Sequence, residues 1–591
     1  MSEALEAVER HARRGPDDAA LVVGGEVLTY RELVDTAAEL AGRLAAVGAG
    51  PGRTVVLHLP QGMAALVGMV AVLRTGAAWT VVEPGHPAVR LDSALAVADC
   101  AAVVHLGDVG GPLGAVDRPP PLVDFAARGP LTPVPPVVAD GRHPAYLVLT
   151  SGTTGRPKAV VISRANLDVA IAGHTGLYGP APVFMPVMSV SFDGVLSALF
   201  SALGTGGTVV VPDARELRDP VAVAHLAARH RITHSFTVPS FHHLLLDRAD
   251  LLPDSLDLCL VGGEAVTPAL VERHRAALPG TRLVNVYGPT ETSIICTAHP
   301  VVGSPKRTVP IGRPFDRATA RVLDARLRPL PPGRIGELYI GGEYVGPGYA
   351  HDPGRTAERF VADPHGDGTT MYRTGDLARV DQSGELEFHG RTDDQVKVRG
   401  TRVELGEVEH VVQGHDGVRQ AAVVVAPDAG LVAFVVPVDA DRALGERLRA
   451  WCALHLLDQA VPAVFVPVER IPLTHNGKAD RAALRALVPA TTPDPAAVDE
   501  GWTERQREVA AEWGAVLRHH DAGLRDTFWH AGGTSLKLMD LYERLDARWP
   551  GALRVGELFE FDTIEAQAAA VAARAEGDGP GAPAPTFRFE V

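Results

Sequence analysis

An α/β multidomain protein that ends in a small helical unit is what this sequence predicts, and three observations carry the prediction. From residue 28 to about 300, strand-length apolar runs alternate with helical periodicity, the mark of parallel or mixed sheets covered by helices. Residues 308–390 change to short apolar runs broken by Gly and Pro, as antiparallel strands do. A Pro-rich stretch at 488–500 then precedes two amphipathic segments. Length agrees, because 591 residues exceed a single core and suggest roughly three or four domains.

Taken in order, Leu33, Ala37, Leu40 and Leu44 recur at helical spacing, so 28–44 reads as a helix with Thr29 as its cap. Residues 54–59 read as a strand, 63–73 as a buried helix, and Trp79–Val82 as a strand. Residues 107–142 are rich in Gly and Pro and read as a loop-rich surface region. Tyr146–Leu149 is a buried strand. Beyond the linker, Val509, Trp513, Val516 and Leu517 share one helical face, as do Leu538, Leu541, Tyr542 and Leu545. Gly577 to Pro585 reads as part of a disordered tail.

Composition excludes several classes. A formal net charge of −15 disfavours a nucleic-acid binder. The four cysteines, Cys100, Cys259, Cys296 and Cys452, show no metal spacing or disulfide framework and fit a reducing compartment. The N-terminus lacks a signal-peptide layout, and no uncharged apolar stretch is long enough to cross a bilayer. A cytoplasmic protein with no membrane partner is therefore expected.

The chemistry centres on Thr150-Ser151-Gly152-Thr153-Thr154-Gly155-Arg-Pro-Lys158, which follows the strand ending at Leu149. Glycines let backbone N–H groups approach an anion, hydroxyls donate to phosphate oxygens, and the lysine adds a mobile charge. The spacing is not that of a Walker A loop, so an ordinary glycine-rich turn is the competing reading. Tyr287-Gly-Pro-Thr290-Glu291 joins a tight turn to a hydroxyl and a carboxylate. A carboxylate beside phosphates calls for a metal, which makes Glu291 a candidate Mg²⁺ ligand. Tyr372-Arg-Thr-Gly-Asp376-Leu offers a carboxylate to both hydroxyls of a ribose. Gly390-Arg391-Thr-Asp393-Asp-Gln-Val-Lys-Val-Arg-Gly400 supplies basic groups, and Asn476-Gly-Lys478 presents a lysine on a turn.

In this order and at these separations the motifs resemble the adenylation domain of nonribosomal peptide synthetases. That domain is part of the acyl-adenylate-forming superfamily, with acyl-CoA synthetases and luciferases. The resemblance covers roughly residues 20–487 and extends to Leu28-Thr-Tyr-Arg-Glu-Leu33, Gly76-Ala-Ala-Trp79 and Gly336-Glu-Leu-Tyr-Ile-Gly-Gly342. One departure is Ala159, where the family usually has Gly. The resemblance implies ATP and Mg²⁺ as cofactors. The 150–158 loop would cradle pyrophosphate, and Thr290 would contact the α-phosphate. Tyr287 lies in the nucleotide site, and Asp376 and Arg391 would hold the ribose. Asp393 would be the hinge, and Lys478 would reach the substrate carboxylate and the phosphate.

After the linker, Asp526-Thr-Phe-Trp-His-Ala-Gly-Gly-Thr-Ser535-Leu and Leu558-Phe-Glu-Phe-Asp-Thr-Ile564 resemble a carrier domain modified with 4′-phosphopantetheine on Ser535. A helix start suits a phosphate; the bland alternative is that Ser535 merely caps the helix, and the Gly532-Gly533 pair with the leucine pattern after it favours modification. The implied layout is a large adenylate-forming core with mixed sheets at 1–391 and a small α+β C-terminal subdomain at 392–487. The 488–500 linker, a helical-bundle carrier at 501–575 and the tail at 576–591 follow.

Asp193, in Ser191-Phe-Asp193-Gly, stands where amino-acid-activating members keep an aspartate for the substrate ammonium. By the same resemblance, Gly194, Ser197, Phe236, Leu260, Gly262, Val286, Ile294 and Ile295 surround the side chain. Most are apolar and none is charged, which fits an isoleucine-, valine- or leucine-like amino acid. Ser197 would leave room or bond a hydroxyl. His242-His243-Leu-Leu-Leu-Asp247 resembles the start of a condensation signature, but Arg248 replaces its final Gly, so the expectation is a helix with two surface histidines. The chain has no room for a separate condensation or thioesterase unit.

The implied partners are an amino acid, a phosphopantetheinyl transferase and a downstream condensation, tailoring or transfer enzyme. An MbtH-like protein is admitted as a further partner. The alternatives are an acyl- or aryl-acid ligase that loads coenzyme A and a catalytically silent carrier or docking protein.

Overall fold

Thr29 caps the helix Tyr30–Ala46 reciprocally with Glu32: its hydroxyl accepts from the Glu32 N–H, and the Glu32 carboxylate accepts from the Thr29 N–H. Leu33, Ala37, Leu40 and Leu44 are all buried, as their spacing requires. The structure is a computed structural model. It describes all residues except 1, 98, 108–119, 128–134, 153–156, 304–307, 367, 394, 399, 427–429, 440, 442–443, 474–478, 489–501, 518–521, 529–530, 532, 534, 554–556 and 576–591. The expected linker and tail lie outside the described residues, apart from Val488.

The chain divides into two compact units, 1–411 with 453–460, and 412–452 with 461–591. In the first, a nine-stranded sheet has a parallel centre. Leu258–Gly262 lies between His234–Thr237 and Arg282–Tyr287, and Thr297–Pro300 turns back antiparallel at one side. A seven-stranded sheet carries Thr54–His58, Ala78–Val81 and Pro144–Thr150, and Lys158–Ser163 folds back antiparallel on the last of these. The helix Met63–Thr75 is buried on every face after Met63, which explains why its sequence is apolar all round. A third sheet, built from Ala318–Leu323, Gly336–Gly342, Phe360–Ala362, Thr370–Val380 and Leu386–Arg391, is antiparallel throughout. The short strand Leu122–Asp124 lies inside the stretch expected to be loop, and a three-residue strand leaves too little periodicity to read.

In the second unit, Val418–Ala426, Gly430–Pro437 and Val464–Pro467 form a three-stranded sheet. The helices Glu504–Leu517, Ser535–Arg548, Glu557–Glu560 and Ile564–Ala575 enclose their own core. Trp513 stacks edge-on to Phe528 at 5.1 Å, and its indole N–H donates to Gln567 at 2.8 Å. Among the described residues, no helix is long and apolar enough to cross a membrane.

One expectation is corrected. His242 is not a surface residue: it is buried on the inner face of Pro239–Leu246, and its Nε2 lies 3.0 Å from His274 Nδ1. His243 is half-buried beside Arg273. The inward turn of His242 depends on a partner 32 residues away, which local sequence does not show.

Candidate active site

The glycine-rich loop joins two antiparallel strands, with Thr150 paired to Lys158 across its base. Thr153, Thr154 and Gly155 lie outside the described residues. The Thr150 hydroxyl is buried with no partner among the described residues, and the Ser151 hydroxyl donates to the Arg402 carbonyl at 2.9 Å. Lys158 directs its ammonium onto Glu291 at 3.4 Å and Tyr349 Oη at 3.3 Å. Burial is the largest influence on Lys158, followed by the Arg402 charge, and together they bring its pKa down to about 8 against the pull of Glu291.

Glu291 sits in the short turn Thr290–Thr292, directly after the strand Arg282–Tyr287, and is fully buried. Arg402 Nη1 donates to its two oxygens at 3.0 and 2.9 Å, and Tyr349 Oη donates to Oε1 at 2.8 Å. Burial pushes the Glu291 carboxyl up, but the Arg402 and Lys158 charges outweigh it and hold the group below the carboxylate range. AMP-binding enzymes use ATP and Mg²⁺. In this conformation Glu291 does not fit a divalent ion held between its two oxygens, because Arg402 Nη1 already bridges them.

Asp376, Tyr287 and Arg391 meet as a second cluster. Tyr287 Oη donates to Asp376 Oδ2 at 2.5 Å, and Arg391 pairs with Oδ1. Each oxygen keeps acceptor capacity for a further donor such as a ribose hydroxyl. Arg391 also donates to Asp393 at 2.7 and 3.0 Å, and Arg359 adds a contact at 3.2 Å, so the expected hinge residue is clamped. Lys478 lies outside the described residues. Ser535 is the first residue of Ser535–Arg548, and its side chain is outside the description.

Asp193 immediately precedes the helix Gly194–Gly204. Among the described residues, its Oδ2 is buried without a partner. Burial drives its pKa up to about 6, against the influence of the nearby Thr290 hydroxyl. A lone carboxylate oxygen of this kind calls for a cation. The adjoining cavity, lined by Trp79, Tyr146, Phe192 and Leu196 among others, measures about 10 Å³, room for about one water. A larger groove of about 640 Å³, bordered by Leu323, Tyr339 and Arg373, holds none of the expected site residues.

The apolar wall forms where three strands end. A Cβ on Gly262 would lie 2.7 Å from Val286 and 3.5 Å from Phe236, and one on Gly194 would meet Met188 at 2.5 Å, so these two positions keep the wall close-packed. Phe236, Leu260, Val286, Ile294 and Ile295 belong to one buried cluster. Ser197 differs from expectation. It neither opens space nor offers a free hydroxyl, because it is fully buried between Tyr178 at 2.6 Å and His174 at 3.0 Å.

Sequence reasoning missed Arg402, Tyr349 and Glu264. Glu264 latches the 395–404 hairpin by accepting from the Gly400 N–H at 2.7 Å and the Ser240 N–H at 3.0 Å. The signal for Arg402 was its place two residues beyond the glycine that ends the basic run.

A mixed α/β fold in which a glycine-rich hairpin, an acidic turn and a buried aspartate converge defines an adenylate-forming type of protein. Residues 8–350 match the family described as AMP-binding enzyme, and residues 407–478 match the AMP-binding enzyme C-terminal domain. Novobiocin biosynthesis protein H of Streptomyces niveus is 36% identical over 91% of this chain and 90% of its own length. The probable non-canonical nonribosomal peptide synthetase CymA of Salinispora arenicola is 38% identical over 91% of this chain. A solved structure of PA1221, an NRPS protein containing adenylation and PCP domains bound to a vinylsulfonamide inhibitor, superimposes with a TM-score of 0.80. It is 26% identical, and the match covers 96% of each chain. The chain therefore belongs to the AMP-binding enzyme family, as an adenylation domain of the nonribosomal peptide synthetase type. It spans only 7%, 9% and 24% of the length of three large synthetases it matches.

Proposed function

We propose that the chain activates an α-amino acid with an isoleucine-, valine- or leucine-like side chain and loads it onto itself, for nonribosomal peptide or related natural-product biosynthesis. The observation that carries the reading is the buried Asp193 Oδ2, which has no partner among the described residues, on a carboxylate that feels Thr290 and Glu291 and so lies near the turn that holds Glu291. An ammonium there would satisfy Asp193 and bring the substrate carboxylate toward the phosphate side. One carboxylate oxygen attacks the α-phosphorus of ATP, the bond to the β-phosphate oxygen breaks, and pyrophosphate leaves. Thr290, Lys158 and Lys478 are the chain's donors for the charge that gathers on phosphate oxygens. Asp376, Tyr287 and Arg391 orient the nucleoside, Thr150 to Gly155 embrace the phosphates, and Asp393 is the pivot.

The helix start at Ser535 fits a phosphate ester, since its first N–H groups lack partners within the helix. When attached, 4′-phosphopantetheine supplies a thiol that takes up the aminoacyl group as AMP departs. The reading places 1–391 as the adenylation core, 392–487 as its C-terminal subdomain and 501–575 as the carrier. A phosphopantetheinyl transferase, a downstream enzyme and an MbtH-like protein would be its partners in the cytoplasm. Intact-mass analysis tests the loading half. After phosphopantetheinyl transfer, ATP and the amino acid should add one aminoacyl mass to the wild type and none to Ser535→Ala. A Ser535→Ala chain that still gains the mass would refute carrier loading at this residue.

An acyl- or aryl-acid ligase acting on coenzyme A is the second reading. Asp193 weighs against it, because such acids carry no amine to meet a buried carboxylate.

A further inference from the structure

Both oxygens of Glu291 accept hydrogen bonds within the chain, and a single guanidinium nitrogen bridges them. Arg402 Nη1 reaches Oε1 and Oε2 at 3.0 and 2.9 Å, Tyr349 Oη reaches Oε1 at 2.8 Å, and Lys158 stands 3.4 Å away. A bare carboxylate buried this deeply would be costly, and Arg402 removes that cost. A divalent ion bound to the same oxygens would lie roughly 2.1 Å from them, in the volume the guanidinium fills. Arg402 and a divalent ion held between the two oxygens therefore exclude each other.

Arg402 is also held by contacts that can be undone. It keeps 16% of its side chain exposed and sits on Thr401–Glu404, the second strand of a two-stranded hairpin. The hairpin turn is at Gly400, whose φ of +75° is a left-handed conformation that favours glycine. Among the described residues its moorings near the site include single hydrogen bonds, from Gly400 N–H to Glu264 and from Ser151 to the Arg402 carbonyl, and the Lys397 ammonium over the Tyr287 ring.

We propose that Arg402 is a built-in substitute for the divalent cation: its pairing with Glu291 stabilises a metal-free conformation and must open before Mg²⁺–nucleotide can occupy the cleft. Arg402 is thus a positioning residue that acts through Glu291 and sets the balance between two states of the site. The inference rests on reading the cleft as an adenylation site. Loss of the guanidinium should favour the metal-nucleotide complex and leave metal-free nucleotide binding alone.

Isothermal titration of the full chain tests this, using Mg²⁺·ATP in one series and AMP with EDTA in the other. Arg402→Gln should bind Mg²⁺·ATP about tenfold more tightly, the gain expected if the paired conformation holds about nine-tenths of the wild type. Its affinity for AMP should stay unchanged. Unchanged or weaker Mg²⁺·ATP binding, or an equal gain for AMP, overturns the proposal. Should Arg402→Gln fail to fold by circular dichroism, Arg402→Met carries the test. It keeps the apolar stem but has no charge or donor for either oxygen, so Mg²⁺·ATP must again bind more tightly, and an unchanged affinity overturns the idea. A wild type that binds neither ligand overturns the adenylation reading itself and this inference with it, and so is distinguishable from a failure confined to Arg402.

Discussion

The Ser197 hydroxyl donates to His174 Nδ1 across 3.0 Å, and the chemistry on either side fixes the direction of that bond. His174 Nε2 faces the Ile295 carbonyl at 2.9 Å, so Nε2 carries the proton and Nδ1 accepts. Tyr178 must then donate to Ser197, at 2.6 Å. Burial brings the His174 pKa down to about 4, which keeps the ring neutral and the relay intact near neutral pH. Ser197→Ala leaves Tyr178 without an acceptor and His174 without a donor. Urea unfolding should show a loss of about 1–3 kcal/mol. The KM for the amino acid should rise as well, because the relay ends on the backbone of Ile295 in the expected pocket.

Asp193 sets function against stability. Its pKa is raised to about 6, above the ordinary value of 3.8. A carboxyl with a raised folded pKa favours the fold at low pH, and this contribution is lost as pH rises through about 6. Asp193→Asn should therefore be more stable than the wild type at pH 7.5, by about 1–3 kcal/mol, and the difference should shrink toward pH 4. The same variant should lose amino-acid-dependent activity. Paired urea curves at the two pH values check the first statement, and substrate titration checks the second.

Tyr287→Phe removes the donor 2.5 Å from Asp376 but leaves the Arg391 pair in place. Nucleotide affinity should fall by about 1 kcal/mol, near fivefold. Asp376→Ala should cost more, because it removes the carboxylate itself and leaves the buried Tyr287 hydroxyl without its acceptor. Isothermal titration with ATP would separate the two.

Lys478→Ala should abolish adenylation and leave the circular dichroism spectrum and unfolding midpoint unchanged. Ser535→Ala should do the reverse of part of this, keeping pyrophosphate exchange while losing the thioester. An exchange rate near wild type for Lys478→Ala would remove that residue from the chemistry.

What the sequence showed and what it hid follow from range. Thr29 with Glu32, and the stripe of Leu33, Ala37, Leu40 and Leu44, are signals within one or two helical turns, and the helix forms where they place it. The strand ending in Thr150 and the return strand from Lys158 flank a glycine-rich loop that is plain in sequence. Arg402 and Tyr349 stayed hidden because they meet Glu291 across 111 and 58 residues. Ser197 was misjudged for the same reason, since His174 and Tyr178 lie on the preceding helix Arg164–Tyr178, and only the packing of the two helices shows that its hydroxyl is taken.

Amino-acid-dependent ATP–pyrophosphate exchange tests the central claim most directly. Isoleucine, valine and leucine should be compared with the matching acids that lack the α-amine. Strong exchange with at least one of the amino acids and background exchange with its desamino acid is the predicted result. Equal exchange with the desamino acids, or none with any amino acid, would contradict it.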